Sequence, residues 1–403
     1  MKNKIVILGH DYSALLCMAN SLGSLDDELI ILKRVKKESK LKRIIKRIII
    51  GKPIELTNKY VKKMLYIEKT NDEHDRQTII NLLLKEFSNN NETKPILVPT
   101  SDYMASTIDI NLDILNKIFI CPNIKNQQGE IVKYMDKELQ KEIAIKNGLN
   151  TAKQYNIAYK DEKYIIPKEI EYPVFVKPKV SYLGNKLMIK KCNNQEELTE
   201  WLNKLGKNAP IIIEENINIE NEYALLGYSY KGKIAMPGLI KVKKSGSFSN
   251  CKGVTIIGEV QPFNKESDLY KKIEKFISSI DLNGMFDIDL YEANNKFYFN
   301  ELNLRFGASG YAITKSGINL PTIYINEINN KHNNYQELKK ITVFTSDKTN
   351  LDNYEFGNND WKDYLKAYDN TDFRFIVSKD NKKTNFSFKR LEIYTKVKKT
   401  MSK

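Results

Sequence analysis

The sequence predicts an α/β fold that turns to α+β in its second half. Three observations carry this. Short, wholly apolar runs (residues 5–8, 29–32, 96–98) alternate with helical stretches, the pattern of buried parallel strands joined by crossover helices. From about residue 131 the texture changes to longer, alternating strands with tight turns. No apolar run approaches the roughly 20 residues that span a bilayer, so the expectation is a cytoplasmic protein.

Taken in order, residues 5–8 form a strand ending at Gly9-His10-Asp11, followed by a helix over 14–21. Residues 96–98 run into Pro99-Thr100-Ser101-Asp102, and 118–121 read as one more strand. Ligands of parallel sheets sit at the carboxyl ends of the strands, which is where Gly9, His10, Asp11, Ser101 and Asp102 fall. Asp11 and Asp102 could bind a substrate ammonium or simply cap helices. No G-x-G-x-x-G follows the first strand, so a dinucleotide fingerprint is missing. Between Lys33 and Arg47 lie nine basic residues and one acid. Ile44, Ile45, Ile48 and Ile49 fit one helical face there, suited to an anionic membrane or to plain solvent. A helix is expected over 131–147, closed by Gly148. Strands follow at 173–178 and 211–214, then antiparallel ones at 223–230, 233–240 and 253–260, and a helix at 267–280.

The chain has 403 residues, 65 Lys and Arg against 50 Asp and Glu, and a formal charge of +15. That sign suits nucleic acid, an acidic membrane or a phosphorylated substrate; it equally suits a lysine-heavy surface. Cys17, Cys121, Cys192 and Cys251 are scattered, without Cys-x-x-Cys, which argues against a zinc ribbon or a disulfide scaffold. With only His10, His74 and His332, a multi-histidine metal centre is nearly excluded.

The most informative stretch runs from Gly284 to Arg305. Asp287 and Asp289 share one strand face, as do Glu301 and Asn303. If the turn centres on Asn295, Asp289 pairs with Glu301 and Asp287 with Asn303. Adjacent carboxylates repel unless a cation lies between them, and oxygen donors suit Mg²⁺. Phe286, Ile288 and Leu290 alternate with the acids, so a half-exposed hairpin is the alternative.

Ordered landmarks then accumulate: Asp136-Lys137 at a helix start, Phe175-Val-Lys177-Pro178, Ile213-Glu214-Glu215-Asn216-Ile217 with Glu222, Asp289, and Glu301-x-Asn303. In this order and spacing the chain resembles the ATP-grasp superfamily, in particular its D-alanine–D-alanine ligase branch. Ile-Leu-Gly9-x-Asp11, Phe119-Ile-Cys121-Pro122, Asn303-Leu-Arg305-x-Gly307 and Asn319-Leu320 are similar to D-aspartate ligase and related carboxylate–amine ligases. The resemblance covers residues 4–330. It implies an N-terminal α/β pre-ATP-grasp domain (1–125) and an ATP-grasp module (126–333) with a lid at about 150–215 and a catalytic sheet at about 216–333. Residues 334–403 would be a basic extension whose end frays or docks on phospholipid.

The resemblance further implies ATP as substrate with two Mg²⁺ ions, or Mn²⁺, held by Asp289, Glu301 and Asn303. Lys177 and Lys137 would contact the phosphates. The backbone of 214–217 (Glu214, Glu215, Asn216, Ile217) would meet adenine, and Glu222 the ribose. Arg305 would clamp the transferred phosphoryl group or the substrate carboxylate, with Asp11, Ser101, Asp102 and Gly307 near the amino acid; Lys177 and Arg305 would be the catalytic pair. The implied reaction joins an amino-acid carboxylate, plausibly D-aspartate, to an amine in cell-wall or surface-glycan synthesis. The acceptor would be a small molecule, such as an anionic precursor. Nucleic acid is not expected as a partner; a homodimer and a contact at the inner membrane face are both compatible with it. The rivals are a carbamoyl-phosphate-synthetase-like or carboxylase-like enzyme and, from another class, a basic nucleic-acid or membrane module.

Three features depart from the pattern. The loop after Lys177 carries a single glycine, Gly184. Lys241, Lys243 and Lys252 compete for one further ATP contact. Asp287 stands where a D-alanine ligase would carry arginine. The segment 243–253 reads as a substrate loop or an exposed turn.

Overall fold

The computed structural model describes residues 3–39, 44, 47–88, 93–155, 157–160, 163–180, 188–206, 210–247, 253–331, 333 and 337–401. The loop with Gly184, and with it Ile45, Cys251, Lys252 and His332, lies outside them.

The first unit is a parallel sheet. β1 (Lys4–Gly9), β2 (Glu28–Lys36), β3 (Val61–Lys69) and β4 (Ile96–Pro99) lie in the order β3-β2-β1-β4, all parallel. Among the described residues, α1 (Tyr12–Leu22), α2 (Asp72–Phe87) and α3 (Asp102–Asp109) are the longer helices that connect or follow them. β2 runs on through Lys33, Arg34 and Lys36, so the first part of the basic run is strand and not helix. Lys33 pairs with buried Glu55, and Arg34 with Asp75, which lets basic residues occupy a strand end. Residues 118–121 make no strand; Ile120 forms an isolated parallel bridge to Ile96.

The expected helix over 131–147 is broken in two: α4 (Glu130–Tyr134) and α5 (Lys137–Lys146). Asp136 breaks it. Its backbone is extended and its carboxylate accepts from the N–H groups of Glu138 and Leu139, an N-cap that begins a new helix. A small antiparallel sheet follows, built from β5 (Gln154–Tyr155), β6 (Val174–Pro178), β7 (Lys190–Cys192) and β8 (Ile211–Glu215), with α6 (Gln195–Leu205) against it.

The large sheet is laid down by β9 (Asn221–Tyr230), β10 (Gly238–Ser245), β11 (Thr255–Pro262), α7 (Asp268–Ile280), β12 (Leu282–Ala293) and β13 (Lys296–Asn303). The strand expected over 233–240 is split at Met236-Pro237, leaving Lys233–Ala235 as a short partner of β9. After α8 (Gly310–Lys315) and α9 (Leu320–Ile328) the chain returns as β14 (Thr342–Thr345) and β15 (Phe373–Arg374). These extend the sheet to the order β15-β14-β11-β10-β9-β12-β13, with Asn150–Thr151 alongside β13. Residues 337–401, the described part of the expected extension, are therefore not an appendage. Their α10 (Asp347–Phe356), α11 (Trp361–Lys366) and α12 (Lys382–Met401) are helices, and the frayed end expected after residue 384 is the body of α12. One hydrophobic core runs from Ile5, Ile7 and α1 through Phe306 and Ile325 to Phe344, Tyr364 and Phe388. It welds the first sheet, the large sheet and the C-terminal helices together.

The hairpin β12–β13 turns at Asn294 and Asn295, both at positive φ (50° and 57°), the backbone of a two-residue I′-type turn. The turn centres between these residues, half a step from the expected position. A bulge then leaves Asn300 unpaired, and beyond it Asp289 faces Glu301 and Asp287 faces Asn303. The pairing is the expected one, but the bulge produces it.

Candidate active site between the sheets

α5 explains how the acidic hairpin is held. Lys137, Gln140 and Lys141 recur at helical spacing and are all buried. Gln140 acts as a strand segment: its Nε2 donates to the Leu302 carbonyl and its Oε1 accepts from the Leu302 N–H, each at 2.8 Å. That locks the backbone between Glu301 and Asn303. Lys137 Nζ lies 2.9 Å from Glu301 Oε1. Lys141 reaches the small sheet, where it pairs with Glu214.

Glu214 sits between two lysines. Its second oxygen is 2.5 Å from Lys177 Nζ, which also donates to Asn300 Oδ1 at 2.8 Å. Lys177 on β6 and Glu214 on β8 are diagonal neighbours across the ladder, close enough for long side chains. Burial would raise the Glu214 carboxyl, but Lys177 and Lys141 outweigh it and hold it below its ordinary value. Burial lowers Lys141 to about 8 against the pull of Glu214. The polar centre of the cleft is thus a lysine–glutamate–lysine group beside the acidic hairpin.

At the other end of the hairpin Arg305 receives two carboxylates. Its Nη1 is 2.9 Å from Asp287 Oδ2 and its Nε is 3.3 Å from Asp102 Oδ1. Despite burial, Asp102, Asp287 and Asp289 hold the guanidinium charged. Asp102 opens α3 of the first unit, so this contact joins the two units. Gly307 makes room for it: a Cβ there would stand 2.6 Å from Asp287 Oδ2 and 3.2 Å from Arg305 Nη1. An arginine at 287 would face Arg305, so the departure at that position has a local reason.

Some expected residues are used differently. Asp11 caps α1, accepting from the N–H groups of Ser13 and Ala14, and its other oxygen is 3.2 Å from Lys348. Ser101 is the N-cap of α3, while Asp102 occupies the first helical position and points to Arg305. The N–H groups of Glu215 and Asn216 already donate to the carbonyls of Lys153 and Pro173, so they are not available to an adenine. Glu222 stands opposite Tyr291 on β12. Lys241 shares the face of Tyr223 and Leu290, opposite to that of Asp289, and Lys243 pairs with Glu259 at 3.8 Å. Sequence reasoning missed Lys141, Gln140 and Asn300. The signal for the first two was the spacing 137, 140, 141 on one helix face.

Mg²⁺ can be tested against this donor set. Asp289 and Glu301 are direct cross-strand neighbours. Asp287 Oδ1 beside them is buried without a hydrogen-bond partner. Among the described residues no cluster of three or more His, Cys, Asp and Glu side chains could hold a metal alone. Two carboxylates with the Asn303 amide oxygen, completed by phosphate oxygens and water, are the hard-oxygen set Mg²⁺ favours, and the residues fit it.

Comparison with known proteins agrees with this geometry. Residues 142–319 match the model of the ATP-grasp domain. A D-alanine–D-alanine ligase of Staphylococcus epidermidis is 27% identical over 228 residues, 51% of this chain and 62% of that enzyme. One from Staphylococcus carnosus is 28% identical over 45% of this chain and 54% of its own length. The chain therefore spans little more than half the length of these relatives. An L-amino acid ligase from Bacillus licheniformis shares the fold with a TM-score of 0.58 at 16% identity, over 81% of this chain and 74% of that one. The N5-carboxyaminoimidazole synthetase of Staphylococcus aureus complexed with ADP does so at 0.59 and 16%, over 85% and 82%. The chain has the ATP-grasp fold, and its residues 142–319 are an ATP-grasp domain.

Proposed function

We propose that this protein is an ATP-dependent carboxylate–amine ligase acting on an amino acid, with D-aspartate as the leading candidate and a cell-wall or surface-glycan precursor as acceptor. The observation that carries the reading is the convergence around one hairpin of Lys137 and Lys177, the Asp289–Glu301–Asn303 face, and Arg305 bridged to Asp102 at the start of α3.

In this reading a substrate carboxylate oxygen attacks the γ-phosphorus of ATP and the bond to ADP breaks. The amine then attacks the acyl carbon, phosphate leaves, and the amine loses a proton. Phosphorylation turns a poor electrophile into a good one, so the protein's work is positioning and charge neutralisation. Lys177 and Lys137 bind phosphate oxygens. Asp289, Glu301 and Asn303 would hold Mg²⁺, which neutralises phosphate charge when bound. Arg305, held between Asp287 and Asp102, would orient the substrate carboxylate through its planar guanidinium.

The test is ADP release with D- and L-amino acids, each with and without amine acceptors. ADP release that requires an amino acid and rises with an amine supports the reading. Release with bicarbonate alone, or none with any amino acid, refutes it. Lys177→Met should cut turnover at least ~10²-fold, the scale of losing one electrostatic contact in a closed site.

A further inference from the structure

We propose that the outer face of α12, with the adjoining helical residues 47–49, is a docking surface for an anionic phospholipid bilayer. The helix is amphipathic twice over. One face, Thr384, Ser387, Phe388 and Thr395, is buried, and Phe388 belongs to the shared core. On the opposite face Phe386, Ile393, Val397 and Met401 recur at intervals of seven, four and four, and each is more than half exposed. Ile393, Val397 and Met401, with Ile49, Arg390, Tyr394 and Lys398, line an open groove of about 630 Å³. Arg390 ties the two pieces together, donating to the carbonyls of Ile48 and Ile49 at 2.8 and 2.9 Å. Ile44 and Ile48 add further exposed aliphatic surface.

Charge decides the occupant. Lys382, Lys383, Lys389 and Lys396 are exposed along this helix. Its one acid, Glu392, turns inward to Arg374 and the Tyr364 hydroxyl. Two lysines in the first turn oppose the helix dipole, so helix stability does not account for them. Two copies packed face to face would set lysine against lysine. Nucleic acid would meet the lysines but leave an aliphatic stripe exposed. An acidic bilayer satisfies both: headgroups meet the ammoniums while the stripe enters the acyl boundary. No described helix is long and apolar enough to cross a membrane, so the contact is in-plane.

The experiment is flotation of the full chain with vesicles of phosphatidylcholine, alone or with roughly a third phosphatidylglycerol. Binding is expected only with the anionic lipid. Lys383→Glu with Lys389→Glu should weaken it at least about 30-fold, since each basic residue near the surface contributes about fivefold. Because Lys383→Glu places an acid where the dipole favours one, lost helix cannot explain the result. Ile393→Ser with Val397→Ser should weaken binding about tenfold or more at unchanged melting temperature. Flotation that is absent, or unaffected by both variants, overturns the proposal. So does a dimer in light scattering that Val397→Ser disperses, or oligonucleotide binding that the charge variant abolishes while flotation persists.

Discussion

Lys141 offers the most exacting test of the cleft, because its charge state sets a measurable pH dependence. It is almost fully buried beside Glu214, and burial lowers it from 10.5 to about 8. In the unfolded chain it returns to its ordinary value. At about 1.4 kcal/mol per pH unit, the displacement is worth about 3.5 kcal/mol. The sign follows from proton counting: between about pH 8 and 10.5 the unfolded chain binds the extra proton, so this group makes folding more favourable as pH rises. That contribution is complete above 10.5 and lost as pH falls through about 8. Lys141→Met removes the term while leaving Lys177 to pair with Glu214. At about 2.1 cal/mol/K per residue, 403 residues give an unfolding entropy of about 0.85 kcal/mol/K, so about 3.5 kcal/mol is about 4 °C. The assay is Tm by differential scanning fluorimetry from pH 7 to 10.5 for both proteins. The difference, wild type minus variant, should rise by about 4 °C across that range. Parallel curves would refute the argument that a buried ammonium lies at the centre of the cleft.

Glu301→Gln and Asp289→Asn should each abolish ATP turnover with little change in Tm, and EDTA should silence the wild type; full activity in EDTA would end the metal reading. Gly307→Ala should force Asp287 and Arg305 apart, lowering kcat/KM for the carboxylate substrate at least about tenfold while KM for ATP stays near normal. Equal losses for both substrates would point to general damage. Asp11→Ala should cost about 0.5–2 kcal/mol of stability with near-normal kinetics, as a lost helix cap does. Asp102→Ala should instead raise the amino-acid KM, and the reverse pattern in these two variants would show that their roles are exchanged.

Much of this was legible because apolar periodicity and turn chemistry are local. The all-apolar runs at β1, β2 and β4 could hardly be anything but buried strands, and alternation in β12 placed its acids on one face. β3 and α2 went unread because Lys62, Lys63 and Glu68, and then Asp72 to Arg76, mask their apolar side with charge. The C-terminal strands were invisible for a different reason: β15 has two residues, too few to show a period. Lys137 was found through resemblance, but Lys141 was not, since a lysine inside a helix reads as solvated until a distant glutamate is shown to face it. Asp11 and Asp102 looked equivalent in sequence. Only the position of Arg305, two hundred residues later in the chain, separates a cap from a cleft contact.

The bulge at Asn300 has a consequence for how the chemistry depends on chain length. A two-residue turn at Asn294-Asn295, propagated without interruption, would bring Asn300 opposite Asp289 and Glu301 opposite Ile288. Strand faces alternate residue by residue, so Glu301 and Asn303 would then be driven among Leu290 and Phe299, in the packed interior. One additional residue restores the phase and turns both oxygens to the cleft. The spare residue is not idle, since its amide holds Lys177. Deleting Asn300 alone would therefore act in space as a frameshift acts in a gene: every position beyond it is still present, and each is delivered to the wrong side.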